Sequence, residues 1–287
     1  MKINFREYLL VLLFVAPLGA CNNDTTINKE AILNSADSAT LVGIPSNSIP
    51  AGKFDMVISD IPFPFEILDN LYTQKVPFDK KAMNEVSNVT KYNQYNSKAL
   101  NLGIYGADLA YSVTYEEFQQ MGAYVKNTKR LAEELNIPFA FDQSMMDKYS
   151  KYKDNKDSLT RIVYDSYSQV DKALKNDERV GMAALVVTGS WLEGLYLSTK
   201  TFQDVPKTAE NKSLYKVIGD QKQSLVIVIK LLEEYKKDEF ISGIIADLKD
   251  ITSDYKTISS DISMNDKQLA AIYEKASALR AKIIAGE

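Results

Sequence analysis

Residues 114–135, TYEEFQQMGAYVKNTKRLAEEL, place Phe118, Met121, Val125, Thr128, Leu131 and Leu135 at three- and four-residue spacing. A stripe of that period lies on one face of an α-helix and has no counterpart in a strand, whose faces alternate every second residue. Thr114 and Glu117 read as a capping box at its start: the threonine oxygen accepts the Glu117 amide and the glutamate reaches back. Pro138 is expected to stop the helix.

The same reading extends outward in both directions. Upstream, Pro64 opens a helix to about Tyr72. Asp79 is expected to cap a helix carrying Ala82, Met83, Val86 and Val89, and a further helix runs from about Ser97 to Ser112. Downstream, helices are predicted at about 142–153 and 157–176, separated by the charged turn Lys151–Asp157. That turn lacks the alternating acids, central glycine and closing glutamate of a calcium loop, so no metal site is assigned to it. Val180–Leu197 reads as a buried helix, because Ser190, Glu193 and Gly194 interrupt its apolar run. Ser198–Glu210, with Pro206 inside, reads as the longest internal loop. Helices follow at about 211–237 and, capped by Asp238, at about 239–260. The last begins near Ser263-Met264-Asn265-Asp266 and carries Leu269, Ile272, Ala276, Leu279 and Ile283. Strand alternation with hairpin turns is scarcely visible. The expected fold is all-α, a multi-helix bundle.

Two regions of this helical body echo each other. Gly103, Tyr105 and Leu109 line up with Gly189, Trp191 and Leu195, and Gly122 lines up with Gly219 once a longer second loop is allowed. Two pseudo-repeated helical hairpins would produce this pattern. The roughly 34-residue period of tetratricopeptide arrays is not found. Glycine inside a helix costs about 1 kcal/mol relative to alanine, so Gly103, Gly106, Gly189 and Gly194 need a reason. Close helix–helix approach is one. The other is a cleft, with Tyr105, Tyr111, Trp191 and Tyr196 as aromatic walls and Asp108 and Glu193 as polar contacts. Aromatic faces with carboxylates suit a glycan or a cationic small molecule.

Absent residue types exclude several chemistries. The chain has no histidine and one cysteine among 287 residues. This removes histidine triads, cysteine–histidine pairs, histidine metal sites and internal disulfides. No catalytic residue, metal or cofactor is assigned. For hydrolysis by two carboxylates, Asp108 and Glu193 are the pair to nominate. The net charge of −4 gives no general attraction to nucleic acid.

The N-terminus has its own logic. Lys2 and Arg6 precede an apolar run from Tyr8 to Ala16, then small residues lead to Cys21. That is the order of a secretory signal, and the run is shorter than the roughly 20 apolar residues of a membrane span. Leu18-Gly19-Ala20-Cys21 resembles the lipobox of bacterial lipoproteins. The resemblance implies cleavage before Cys21 and acylation of its thiol and new amino group, which anchors the chain in a membrane. Asn22, where an aspartate would favour the inner membrane, implies the outer membrane. A single acid in Asn22-Asn23-Asp24 leaves periplasmic and surface-facing placements both open. The expected organisation is a signal peptide at 1–20, a lipidated cysteine and polar tether at 21–53, and a helical domain at 54–287. The partners to expect are the membrane, through lipid on Cys21, and an envelope protein or glycan.

Overall fold

The computed structural model describes residues 64–137, 143–176, 179–203, 208, 211–258 and 264–286. All of them fall in the unit Ile44–Glu287. The expected signal peptide, Cys21, the expected tether, Pro138 and Ser263 lie outside the described residues, as does most of the expected loop after Gln203.

Among the described residues the chain forms nine α-helices and two short 3₁₀ turns, with no strand. The helices are α1 (Pro64–Thr73), α2 (Tyr95–Thr114), α3 (Phe118–Glu134), α4 (Gln143–Lys151), α5 (Lys156–Asn176), α6 (Val180–Phe202), α7 (Lys212–Glu233), α8 (Glu239–Tyr255) and α9 (Asp266–Ala285). The all-α bundle read from periodicity is therefore the fold.

Helices α2 and α6 form its centre and pack on each other more extensively than any other pair. Helices α1, α3, α5 and α9 flank α2, while α7 and α9 cover α6, and α8 closes the outer layer against α7 and α9. Helix α6 is long and apolar enough to cross a membrane by composition alone. In the bundle it is buried at almost every position from Ala183 to Thr199.

The glycines explain how close the central pair comes. A Cβ on Gly103 would collide with the Val186 carbonyl and the Ser190 amide; one on Gly189 would collide with the Leu100 carbonyl. Each glycine thus faces the turn preceding the other, a reciprocal contact between two backbones. Gly106 has a different role, since its missing Cβ leaves the space filled by the Tyr167 ring of α5. Tyr167 donates to the Gly103 carbonyl at 3.0 Å and pairs with the Ser190 hydroxyl at 3.2 Å. Gly194 is not under the same constraint, for its Cβ would meet only Ile67 Cδ1 at 3.4 Å. In the expected echo, Gly103 and Gly189 therefore do share an environment. Gly122, by contrast, has open space around it.

Local expectations failed at three places, each for a physical reason. Thr114 does not cap α3. It ends α2, where its hydroxyl donates to the Ala110 carbonyl at 2.9 Å. The chain then turns through Glu116 at φ 60°, and Glu117 is the residue before α3, without a side-chain cap. Ser198 to Phe202 continue α6 rather than start a loop. Their hydroxyls return to carbonyls one turn back, Ser198 to Gly194 at 2.7 Å and Thr199 to Leu195 at 2.7 Å, which lets polar residues stay buried in a helix. Finally, Asp79 does accept the Lys81 amide at 2.9 Å, but it opens only the 3₁₀ turn Lys80–Ala82. The chain is extended at Met83 and Glu85 before a second 3₁₀ turn, Val86–Lys91. We call residues 79–91 the strap.

The caps read at the other helix starts are present. Asp238 accepts the Ile241 amide at 3.1 Å, and Asn265 forms a full capping box with Gln268.

Candidate functional site

The strap forms no α-helix: beyond the short-range bonds of its two 3₁₀ turns, its backbone is bonded to its neighbours. Its backbone lies over α2, α3 and α9, and side chains from those helices satisfy it group by group. The Asp79 amide donates to the Tyr111 hydroxyl at 2.9 Å. The Ala82 carbonyl accepts Arg280 Nη2 at 2.9 Å. The Asn84 amide donates to Asp108 Oδ2 at 3.0 Å, and its carbonyl accepts the Tyr124 hydroxyl at 3.0 Å. The Glu85 carbonyl accepts the Tyr105 hydroxyl at 2.8 Å, and the Val86 carbonyl accepts Asn127 Nδ2 at 2.9 Å. An irregular segment can be buried only if its backbone polar groups find such partners.

Beneath the strap lies a charged cluster. Asp108 and Glu193 are 0 % exposed and Arg280 is 6 % exposed. Arg280 grips Glu193 with Nε to Oε2 at 2.5 Å and Nη2 to Oε1 at 2.7 Å, the fork geometry that makes arginine–carboxylate pairs strong. The guanidinium also lies 4.1 Å from the centre of the Tyr196 ring, which stacks on Tyr273. Asp108 is buried beside this pair, near enough to Glu193 for the two carboxyl groups to interact. Burial, and then the charge of Glu193, hold its carboxyl well above the ordinary carboxylate range, although Arg280 pulls the other way. Burial likewise pushes the Tyr111 hydroxyl up to about 12.

Every residue nominated for a cleft is therefore in or beside the core. Tyr105, Asp108, Tyr111, Glu193 and Tyr196 gather around the strap and Arg280. Trp191 does not belong to this group: it is buried on the α7 side, where its indole N–H donates to Gln221 Oε1 at 3.0 Å. Helices α2 and α6 bring Asp108 and Glu193 together as nominated for a carboxylate pair. They meet as one buried cluster, however, and do not face each other across an open cleft of the kind glycoside hydrolysis needs. Elsewhere a cavity of about 20 Å³, lined by Leu102, Gly106, Thr128, Tyr167, Val170 and Val186, has room for about one water. Among the described residues no group of three or more Asp, Glu, His or Cys is placed to hold a metal ion.

Sequence reading missed Arg280, Asn84, Tyr124 and Asn127. Arg280 carried a usable signal. It lies four residues after Ala276 and three before Ile283, both on the buried stripe of α9, so a charge was being turned toward the core. Asn84, Tyr124 and Asn127 carried none, since their roles depend on where the strap lies. Compared with protein-family models, with curated proteins and with solved structures, the chain finds no match.

Proposed function

We propose that this chain is a lipid-anchored helical protein of the bacterial outer membrane, with a non-enzymatic binding or scaffold role. The anchoring part rests on the order of charged, apolar and small residues ending at Cys21. One observation favours binding over catalysis. The acidic side chains nominated for chemistry, Asp108 and Glu193, are committed to the Asn84 amide and to Arg280. Partner contacts then fall to the surface, where, among the described residues, the exposed large apolar and aromatic side chains are Tyr72, Val86, Tyr95, Tyr152 and Tyr164. Tyrosine is enriched at contact surfaces, because it offers a large apolar area and a polar tip.

A second reading is capture of a glycan or cationic small molecule. It is favoured by the convergence of Tyr105, Asp108, Tyr111, Glu193 and Tyr196, and it requires the strap to move.

The test is made in cells. The full chain and its Cys21→Ser variant are expressed with an alkyne-bearing fatty acid, and membranes are separated. The intact chain is expected to carry label and fractionate with the outer membrane; the variant is expected to lose both. An unlabelled, soluble intact chain would rule out the anchor. Crosslinking of the anchored chain then separates the two binding readings, through a protein adduct or a glycan adduct.

A further inference from the structure

The cluster under the strap contains two carboxyl groups and one guanidinium. Arg280 spends its Nε and Nη2 hydrogens on Glu193 and on the Ala82 carbonyl. Asp108 Oδ2 receives the Asn84 amide, but Oδ1 is buried and no donor among the described residues reaches it. A carboxylate oxygen left so, beside a second carboxylate, leaves a buried charge unpaired, which is strongly unfavourable. The oxygen becomes a good partner if it carries a proton, for it can then donate to Glu193.

We propose that the strap is latched by a proton held between Asp108 and Glu193, so that its hold on the cluster is strongest in acid and weakens as pH rises. The proton is on Asp108 Oδ1 in the closed state. When the strap lifts, solvent reaches the carboxyl, the proton passes to water, and an ionised Asp108 is left hydrated. Closing the strap takes the proton back.

The strap itself carries Asp79, where Lys200 at 3.1 Å outweighs burial and holds the carboxyl below the ordinary range, and Glu85, whose side chain is exposed. On its own helix Asp108 has Tyr105 and Tyr111; the strap end brings Tyr92, α3 brings Tyr124, α5 brings Tyr167, α6 brings Glu193 and α9 brings Arg280. The tyrosines are all raised by burial and stay neutral, and Arg280 stays charged. On α1, Glu66 and Asp69 are exposed to solvent. The raised Asp108 carboxyl agrees with the geometry. Lifting the strap would open Asp108, Glu193, Tyr105 and Tyr111 to solvent together, the group a captured ligand would need, but the latch does not depend on such a ligand.

Nuclear magnetic resonance of the folded protein tests this at two atoms. The Asp108 carboxyl carbon should titrate with a midpoint well above the ordinary carboxylate value. The Asn84 amide, after correction for intrinsic exchange, should lose protection by about tenfold per pH unit. That loss should begin near the ordinary carboxylate value of about 4 and level off at the pKa of the closed state. In Asp108→Asn the Asn84 amide keeps an acceptor and Glu193 gains a donor, so this slope should vanish. An Asp108 carboxyl that ionises at the ordinary carboxylate value, or protection of the wild-type Asn84 amide that does not change with pH, would overturn the latch. So would an equal slope in the variant. Both wild-type readouts decide the matter even if the variant does not fold.

Discussion

Arg280 of α9 and Glu193 of α6 form a bidentate ion pair whose exposure is 6 % and 0 %, and the same guanidinium holds the Ala82 carbonyl of the strap at 2.9 Å. One side chain therefore joins the last helix, the central helix and the irregular segment. Removing either charge leaves the other buried without a partner, which is the costly way to break such a pair.

Arg280→Met should accordingly destabilise the body by about 3–5 kcal/mol in urea unfolding. The Glu193→Met/Arg280→Met double variant should recover much of that loss, because no charge is then stranded, although the Ala82 carbonyl still lacks its donor. If Arg280→Met costs no more than a surface substitution, the pair is not buried as described.

The helical glycines should separate by position. Gly103→Ala and Gly189→Ala each force a methyl into the backbone of the facing helix, which cannot yield as a side chain would. Each should cost at least about 1–3 kcal/mol, the range for overpacking a core. Gly122→Ala meets nothing within 4 Å and should stabilise α3, by up to about 1 kcal/mol. Thermal unfolding of the three variants, side by side, checks the order.

Helix caps give a sharper contrast. Asn265→Ala removes a complete capping box and should cost about 1 kcal/mol. Thr114→Val removes no N-cap; it keeps the branched shape and removes only the hydroxyl returning to the Ala110 carbonyl, and it should cost less. Equal losses in chemical denaturation would mean that Thr114 caps α3 after all.

The stability of the whole body should follow the protonation of Asp108. Its folded pKa is raised above the unfolded value, so the native state holds a proton that the unfolded chain has released. That contribution is fully present below about pH 4 and declines as pH rises to the folded pKa. Asp108→Asn has no such proton. At neutral pH it should be as stable as wild type or more so, and unfolding free energies measured across pH should lack this decline.

Trp191 is buried, with its N–H on Gln221, so its emission should be that of a core indole and poorly quenched by acrylamide. Gln221→Leu strands the indole donor and should cost about 1–3 kcal/mol. Because Trp191 lies away from the strap, a ligand entering under the strap should shift its emission little; a large shift would place the binding event at the α6–α7 contact.

Much of the fold could be read along the chain. The stripes of α3, α7 and α9 reached their helices because 3.6-residue periodicity is a local property that burial then uses. The caps at Asp238 and Asn265 held for the same reason, as each involves only residues within one turn. Thr114 and the strap were misread where local and distant partners competed. Thr114 found the Ala110 carbonyl behind it, and the strap found side chains 20 to 198 residues away.

The site divides along the same line. Sequence alone determined that the body would be helical and that histidine chemistry and internal disulfides were closed to it, and it left two readings of the helical glycines, close helix approach or an aromatic cleft. Only the tertiary structure decided what those residues do. Two glycines bring α2 and α6 into backbone contact, Asp108 and Glu193 are thereby forced together, and Arg280 arrives from the far end of the chain to pair with Glu193. Hydrogen bonds and charge pairs act over a few ångströms of space, whatever the separation in sequence. Their partners exist only once the helices are packed.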